Sequence, residues 1–501
     1  MNYKLGTKNS NYILALDQGT SGSRAILFDK QAHIVGIAQH ETVQLYPRVD
    51  WVEQDAEEIW ANQLQVAKEV MQQSAVSASQ IAAIGITNQR ETVVVWDKHT
   101  GKPIYNAIIW QDQRGIQACE TLREQGWEDY IRMNTGLVID SYFSATKLQW
   151  ILLHVEGARA KAEQGDLLFG TIDSFLMWKL SGGVLHITDV SNASRTMLFN
   201  IKEKCWDKKL MALFKIPEAM LPTVVDSAAV YGETCMGLFD DAQIPLCAMI
   251  GDQQAALFGQ ACFEEGTAKN TYGTGCFMLM NTGTTPVVSH HGLLTTIAWG
   301  INGKMEYALE GSVFVAGAVV KWLRDGLQLI HTVEETEAMA LEAAATHGLY
   351  FVPAFTGLGA PYWDMNAKGI ITGITLATEK KHIVRAALES MAYQTKDVLN
   401  AIQHDSGIKL KELNVDGGAA ANNFLMQFQA DMLDVAVKRP QVIESTALGA
   451  AFLAGLAIGM WTKEQLTALR SVERTFEPSM EAAQREMLYE GWKKAVAQAR
   501  M

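Results

Sequence analysis

Residues 12–28 read Tyr-Ile-Leu-Ala-Leu-Asp-Gln-Gly-Thr-Ser-Gly-Ser-Arg-Ala-Ile-Leu-Phe, and this stretch decides the fold. One apolar run ends at Asp17, and a second follows Arg24 after a Gly/Thr/Ser turn. Two short apolar runs around such a turn predict two strands joined as a hairpin. Glycine lets backbone N–H groups approach phosphate oxygens, and a carboxylate at a strand end can hold a metal through water. The stretch is compatible with a phosphate site, but taken alone it favours an ordinary hairpin.

The same pattern recurs about half a chain length later. Residues 270–274, Asn-Thr-Tyr-Gly-Thr, precede the apolar run 276–280. A third glycine site, 417–418, follows a predicted strand over 413–416 and precedes a helix from about Asn422. Neither a GxxxxGK[ST] loop nor a GxGxxG after a strand occurs, which excludes a Walker-type loop and the dinucleotide fingerprint. Two similar α/β lobes, each with one Gly-Thr hairpin, explain the repeat.

Length and composition set the class of protein. The chain has 501 residues, which exceeds the roughly 250–300 that one core supports, so two domains are expected. Apolar residues make up 48% and charged residues 19%, which excludes a largely disordered chain. The formal net charge of −13 argues against nucleic acid as a partner, because phosphate contacts normally need a basic balance.

Targeting and redox signals are weak. No apolar run reaches the roughly 18–20 residues of a membrane span, and Met1 to Ser10 are polar without a signal core. Six cysteines form no CxxC pair, so we expect free thiols in a reducing cytosol. The adjacent His290 and His291 lie between Ser289 and glycine, where a solvated loop is favoured over a metal site.

Hydrophobic spacing predicts the main helices and one further strand pair. Residues 55–73 have helical spacing, with one face formed by Trp60, Leu64, Ala67 and Met71 and flanked by Ile59, Val66 and Val70. Residues 81–86 and 92–96 are expected to form two strands that pair around the intervening turn. Further helices are predicted at roughly 310–330, 380–404 and 445–459, and Gly407 is expected to cap the second of them.

Six segments together resemble the FGGY carbohydrate kinases, within the superfamily of actin, hexokinase and Hsp70 ATPases. They are Ala15-Leu-Asp-Gln-Gly-Thr, Gly85-Ile-Thr-Asn-Gln-Arg-Glu-Thr, Gly251-Asp-Gln-Gln-Ala-Ala-Leu-Phe-Gly, Asn270-Thr-Tyr-Gly-Thr-Gly-Cys-Phe, Tyr350-Phe-Val-Pro-Ala-Phe-Thr-Gly-Leu-Gly-Ala-Pro-Tyr-Trp-Asp and Val415-Asp-Gly-Gly-Ala. They span nearly the whole chain. The Asn-Gln-Arg-Glu-Thr segment resembles the glycerol-phosphorylating branch rather than its pentulose-kinase relatives.

The resemblance implies a fold and a reaction. The fold would be α/β, with two actin-like (ribonuclease H-like) ATPase lobes, residues 1–260 and 261–501, and a cleft between them. Glycerol would bind the first lobe and ATP mainly the second. The reaction would be ATP-dependent phosphorylation of glycerol to sn-glycerol 3-phosphate in glycerol catabolism, in the cytoplasm and with Mg²⁺. A homo-oligomer, dimer or tetramer, is implied by the resemblance alone.

The resemblance also assigns roles to particular residues. Asp252 matches the general base. The substrate-binding positions are Arg90, Glu91, Tyr142, Asp252 and Gln253, with Trp110 and Phe277 as aromatic walls. The nucleotide-binding positions are Thr20, Ser21, Gly22, Arg24, Thr274, Gly317, Lys321, Gly418 and Asn422. Asp17, with help from Asp252, is expected to organise Mg²⁺.

Several positions depart from the family pattern. Ser21 and Gly22 replace the usual Thr-Ser after Thr20, so Gly22 offers only backbone contact. Lys321 stands where well-studied bacterial members have Gln. The Gly/Lys-rich loop with Arg that binds fructose 1,6-bisphosphate in enterobacterial members is missing, since residues 236–244 read Met-Gly-Leu-Phe-Asp-Asp-Ala-Gln-Ile. We therefore expect no regulation by this bisphosphate.

Two alternatives stay open at this stage. The nearer one is another FGGY kinase that phosphorylates a pentulose or a different polyol. The farther one is a non-enzymatic, actin-like nucleotide switch or chaperone. Asp252 together with Arg90 and Glu91 argues against a switch, as does the lack of an appended peptide-binding domain.

Overall fold

Strands and helices alternate along residues 11–240 and 242–501, the part of the chain that the computed structural model describes. Met1 to Ser10 and Asp241 lie outside the described residues, so the predictions made for them do too. The strands are β1 Tyr12–Gln18, β2 Gly22–Phe28, β3 Ile34–Glu41, β4 Glu53–Gln54, β5 Ile81–Asn88, β6 Val94–Asp97, β7 Ala107–Ile108, β8 Leu167–Gly170, β9 Ile187–Asp189, β10 Phe199–Asn200, β11 Cys205–Trp206, β12 Thr223–Val225, β13 Ala228–Glu233, β14 Pro245–Gly251, β15 Thr267–Tyr272, β16 Cys276–Gly283, β17 Leu294–Ile301, β18 Lys304–Val313, β19 Tyr350–Val352, β20 Ile370–Thr372, β21 Glu412–Asp416, β22 Val437–Pro440 and β23 Val472–Phe476.

The helices connect these strands. They are α1 Ala56–Gln73, α2 Ile116–Glu124, α3 Glu128–Thr135, α4 Ser144–His154, α5 Ala158–Gln164, α6 Ile172–Leu180, α7 Val190–Ala193, α8 Lys208–Phe214, α9 Asp252–Gly259, α10 Gly317–Asp325, α11 Glu335–Glu342, α12 Lys380–Ser406, α13 Asn423–Leu433, α14 Ser445–Ala457, α15 Lys463–Leu469 and α16 Ala482–Ala499. The described residues contain no helix that is both long and apolar enough to cross a membrane.

The large sheet is built from two similar halves. Its strand order is β23-β22-β21-β15-β16-β18-β17-β13-β14-β5-β1-β2-β3. In each half a Gly-Thr hairpin, β1–β2 or β15–β16, extends an antiparallel meander on one side and pairs in parallel with a later strand on the other. A single pair, Ala228 opposite Ile301, joins the halves. The predicted repeat of two hairpins in an α/β fold is confirmed.

The register of the first half brings three strand ends together. Asp17 at the end of β1 lies opposite Thr87 of β5, and Thr87 lies opposite Ile250 of β14. Because these strands are parallel, their carboxyl ends share one edge of the sheet. The turn after β5 and the start of α9, which begins at Asp252, therefore meet beside Asp17.

Helix α14 comes late in the chain but packs on the first half of the sheet. A methyl group on Gly449 would lie 1.9 Å from the carbonyl oxygen of Ala255 in α9, and one on Gly85 would lie 2.3 Å from that of Ala450. Backbone contact this close requires glycine. The two halves are therefore joined by packing between α9, α14 and β5 as well as by the sheet.

Most of the predicted elements are present. Helix α1 begins after Asp55, whose side chain accepts the backbone N–H of Glu57, and α12 ends at Gly407 with φ of 70°. The helix predicted at 445–459 is α14. All six cysteines are free, as expected.

Three local predictions were wrong. Strand β6 does not pair with β5 but with β8, because the turn between β5 and β6 leads into another layer. The helix predicted at 310–330 is shorter, since β18 occupies its start and α10 spans only Gly317–Asp325. The predicted apolar face of α1 is wrong only at Trp60 and Leu64, which are partly buried. Its other members, Ala67 and Met71, are buried, as are the flanking Ile59, Val66 and Val70.

Candidate active site

The first hairpin turn is held closely by its neighbours. The Gly19 N–H donates to the carbonyl oxygen of Gly22 (3.0 Å), and the Thr20 carbonyl accepts from Gln54 Nε2 (2.7 Å). A methyl group on Gly22 would lie 2.6 Å from the carbonyl oxygen of His40 in β3. Gly22, one of the departures from the family pattern, therefore allows the backbone of β3 to pack closely against the hairpin. Arg24, predicted to bind nucleotide, forms an ion pair with Glu444 at the start of α14.

The second hairpin is bonded to the first turn of α10. The Thr274 carbonyl oxygen accepts the N–H groups of Ala316 (2.8 Å) and Ala318 (3.1 Å), and the Gly317 N–H donates to Gly273 (2.9 Å). A methyl group on Gly317 would lie 2.5 Å from the Gly273 carbonyl oxygen. The structure thus brings Thr274 and Gly317 together, whereas Lys321 lies exposed one turn further along α10.

The third glycine site adjoins the second hairpin. Gly417 has φ of 85°, and a methyl group there would lie 2.4 Å from the carbonyl oxygen of Tyr272 at the end of β15. Gly418 is different, because no atom lies within 4 Å of the position that a methyl group would take. Asn422 caps α13, accepting the Leu425 N–H (2.9 Å). The open space at Gly418 leaves room for a ligand beside the backbone.

A cluster of buried charges connects residues of the two halves of the sheet. Arg90 donates through Nη1 and Nη2 to the two oxygens of Glu310 (2.6 and 3.0 Å). Arg195 donates through Nε to Glu91 (2.6 Å) and lies 3.2 Å from Glu310. Burial alone would raise the pKa of Glu310, but Arg195 and Arg90 outweigh it and lower that pKa to about 2. Glu310 is therefore ionised and holds both arginines.

Aromatic side chains border this cluster. Arg90 Nη2 donates to the Tyr142 hydroxyl (3.3 Å), and the rings of Tyr142 and Trp110 meet edge to face with centroids 5.6 Å apart. Trp110 Nε1 donates to Thr20 Oγ1 (2.9 Å), which links this wall to the first hairpin. Phe277 lies on β16, opposite Ser312.

Asp252 stands at the edge of the cluster. Its Oδ1 lies 3.2 Å from Arg90 Nε and accepts the Gln253 N–H (2.7 Å), while its side chain remains 30% exposed. A methyl group on Gly251 would lie 2.7 Å from Arg90 Cγ, so the absence of a side chain at Gly251 makes room for the Arg90 side chain. Arg90 and Asp252, which were predicted separately as site residues, are thus in direct contact, and Asp252 still partly faces solvent.

Asp17 is a second carboxylate near Asp252. Burial raises the pKa of Asp17 to about 7, Arg24 opposes the shift, and the charge of Asp252 adds to it. Two carboxylates in mutual repulsion at the ends of parallel strands are a donor set that suits a hard divalent cation. Asp17 and Asp252 therefore fit the predicted Mg²⁺ role.

Three buried charged residues of the site escaped the sequence analysis: Arg195, Glu310 and Lys269. Lys269 Nζ donates to Gln253 Oε1 and to Thr271 Oγ1 (3.0 Å), so it connects the start of α9 to the second hairpin. Burial lowers the pKa of Lys269 to about 8, although nearby carboxylates, among them Asp416, oppose the shift. Lys269 is the one charged residue of β15, which was the available sequence signal, whereas β18 carries Lys304 and Glu306 besides Glu310 and gave none.

Comparison with known proteins agrees with this geometry. The FGGY family of carbohydrate kinases matches twice, its N-terminal domain over residues 12–259 and its C-terminal domain over residues 268–458. The chain belongs to the FGGY family of carbohydrate kinases. This FGGY chain is 60% identical over 489 residues to a glycerol kinase of Alkaliphilus oremlandii, covering 97% of each chain. It is 61% identical to a glycerol kinase of Carboxydothermus hydrogenoformans, covering 98% of each.

A solved structure extends the comparison of this FGGY kinase to three dimensions. Glycerol kinase of Plasmodium falciparum, crystallised with ADP, superposes with a TM-score of 0.94 at 37% identity and covers 98% of this chain and 99% of its own. The two-lobed α/β fold expected from the resemblance is thereby confirmed, as is the assignment to a kinase.

Proposed function

We propose that this FGGY kinase transfers the γ-phosphoryl group of ATP to a terminal hydroxyl of glycerol and releases sn-glycerol 3-phosphate and ADP. The observation that carries the proposal is the 3.2 Å contact between Arg90 and Asp252. It joins a buried polar cluster, suited to hydroxyl groups, to an exposed carboxylate near the first hairpin. The glycerol kinases at about 60% identity over nearly the whole chain support the choice of substrate.

The polar cluster suits a small polyol. The two arms of the Arg90 fork already bind Glu310, so a substrate hydroxyl would be bound by the N–H groups that now donate to Tyr142 and face Asp252, while Glu91 would supply acceptor oxygens. Trp110 and Phe277 would cover the C–H edge, and Tyr142 would contribute a hydroxyl. Gln253 Oε1 already accepts from Lys269, which leaves its N–H groups for a substrate oxygen.

Asp252 is proposed as the general base. It would accept the proton of the terminal hydroxyl while that oxygen attacks the γ-phosphorus in line. Its 30% exposure gives a substrate access, and the Arg90 contact fixes its orientation. Bound Mg²⁺, held by Asp17 with Asp252, would neutralise charge on the ATP phosphates.

The nucleotide is proposed to bind along the two hairpins and the open backbone at Gly418. Thr20, Ser21, Gly22, Arg24 and Thr274 would face its phosphates, because hairpin turns offer N–H and hydroxyl donors. Gly317, Gly418 and Asn422 would border ADP, and the exposed Lys321 would add a cation. Since Asn422 already uses its side chain as a cap, its contact to ADP would come from the backbone.

The lobe boundary, the location and the oligomeric state expected from the sequence are also proposed here. We propose a lobe boundary near residue 260, between the end of α9 and the start of β15. We also propose a cytoplasmic location, a homo-oligomer, and no role for nucleic acid.

The experiment is ADP release from ATP and Mg²⁺ in the presence of glycerol, D-xylulose or D-ribulose. Glycerol should give the highest catalytic efficiency, with a phosphorylated product at its terminal carbon. A higher efficiency on either pentulose would assign the chain to another branch of the family. ATP binding without ADP release under any substrate would indicate a nucleotide switch.

A further inference from the structure

Two histidines and an aspartate meet at a place that shares no residue with the proposed phosphoryl-transfer site. His291 lies in the loop before β17, and His404 and Asp405 lie in the last turn of α12. The nitrogen and oxygen atoms through which these three side chains can bind a metal all lie within 4.8 Å of one another. Among the residues described, no other group of three such side chains is this close.

The carboxylate of Asp405 is firmly fixed. Its side chain is only 1% exposed, and Oδ2 accepts from Ser289 Oγ (2.6 Å). The backbone N–H groups of His290 and His291 also donate to it, each at 3.2 Å. Asp405 is therefore the acceptor of three hydrogen bonds from the loop before β17.

This acceptor determines which nitrogen of His291 is free. Asp405 Oδ1 lies 2.5 Å from His291 Nδ1, and an ionised carboxylate can only accept, so the proton resides on Nδ1. In the neutral ring the lone pair is then on Nε2. Metal-binding histidines are commonly oriented in this way, with the other ring nitrogen donating to a carboxylate. His291 is 43% exposed, so an ion can reach it.

We propose that His291 and His404 bind a divalent transition-metal ion of the zinc type, with Asp405 orienting His291. The two imidazole rings have centroids 4.1 Å apart and are inclined by 58°. Two nitrogens bound to one zinc at about 2.0–2.1 Å lie roughly 3.3 Å apart, which a small rotation of the exposed His404 achieves. Imidazole suits zinc, nickel and copper, whereas Mg²⁺ and Ca²⁺ prefer oxygen ligands. Water would occupy the remaining positions.

Such an ion would connect two distant segments. It would tie the loop before β17 to the end of α12, which are 113 positions apart between His291 and His404. The same loop is bonded to Trp363, whose Nε1 donates to the Gly292 carbonyl oxygen (2.5 Å). Because an ion that binds only the folded chain stabilises it by mass action, zinc should raise the melting temperature.

The test is a zinc titration by calorimetry, with Mg²⁺ in excess to occupy the Asp17 and Asp252 carboxylates. The parent chain should bind one Zn²⁺, and His404→Ala should weaken that binding by about tenfold or more. Because His404 is exposed and lies outside the proposed phosphoryl-transfer site, His404→Ala should leave the turnover of glycerol unchanged when zinc is absent. The matched control is His99→Ala, which removes an exposed histidine paired with Asp166 at 2.8 Å but without a third metal-capable neighbour.

Two further readouts separate binding at this site from adventitious binding. Zinc should raise the melting temperature of the parent and of His99→Ala but not of His404→Ala. Co²⁺ in place of zinc should give a visible absorption band that His404→Ala abolishes. Zinc binding of equal affinity in the parent and in His404→Ala, or no binding by the parent, would overturn the proposal.

Discussion

Arg90 and Glu310 form a two-point ion pair, with Nη1 2.6 Å from Oε2 and Nη2 3.0 Å from Oε1. The residues are 220 positions apart and belong to different halves of the sheet. Both are buried, so neither charge is solvated if the other is removed. The pair therefore holds the substrate-facing arginine in place and joins the two halves of the molecule.

Glu310→Gln keeps the shape of the side chain and removes its charge. The buried Arg90 and Arg195 would lose their shared counter-ion, and the free energy of unfolding should fall by about 3–5 kcal/mol. The KM for glycerol should also rise, because Arg90 loses its fixed orientation. Denaturant unfolding and steady-state kinetics measure the two effects. Parental stability with a parental KM would show that Glu310 does not hold Arg90.

Arg90→Lys tests the recognition of hydroxyls. Arg90→Ala would also leave Glu310 with Arg195 as its only cation, whereas lysine keeps the charge but loses the planar fork. Catalytic efficiency on glycerol should fall, and discrimination against propane-1,2-diol should fall with it, since sites built for hydroxyls reject analogues by up to about 10⁴–10⁵. The measurement is the ratio of the two efficiencies in parent and variant. An unchanged ratio would remove Arg90 from the substrate site.

The sequence predicted the two hairpins but not the buried charges that contact Arg90. The hairpins around Asp17 and Thr274 follow from local turn residues, which determine their own geometry. Glu310 and Arg195 could not be predicted as partners of Arg90, because nothing local specifies contacts between residues more than a hundred positions apart. The pairing of β6 with β8 failed for the same reason. The burial of Arg90 likewise depends on these distant contacts and not on its neighbours in the sequence.

Fructose 1,6-bisphosphate should not inhibit this enzyme. The segment between Cys235 and Pro245 carries Asp240 and Asp241 and no arginine, so it repels a bisphosphate. A titration of the rate at moderate salt should stay flat. Saturable inhibition at sub-millimolar bisphosphate would reveal a cationic site elsewhere.

Lys269→Met should lower turnover by about tenfold or more, because Gln253 loses the donor that orients it. The pH dependence of stability should change as well. Between about pH 8 and 10.5 the unfolded chain keeps a proton that folded Lys269 has lost, so the parent gains stability as the pH rises. Lys269→Met should lack this rise in the free energy of unfolding with pH. Denaturant unfolding at pH 7.5 and 10 compares them, and an identical pH dependence would contradict the depressed pKa.

The most direct test of glycerol phosphorylation at this site is the turnover of Asp252→Asn at saturating glycerol, ATP and Mg²⁺. The variant should fold as the parent does and lose about 10²–10⁴-fold in kcat, the usual contribution of a general base. Asp129→Asn, which changes an exposed aspartate on α3, serves as the matched control and should retain parental turnover. A kcat of Asp252→Asn within threefold of the parent, with unchanged melting, would show that Asp252 does not accept the proton.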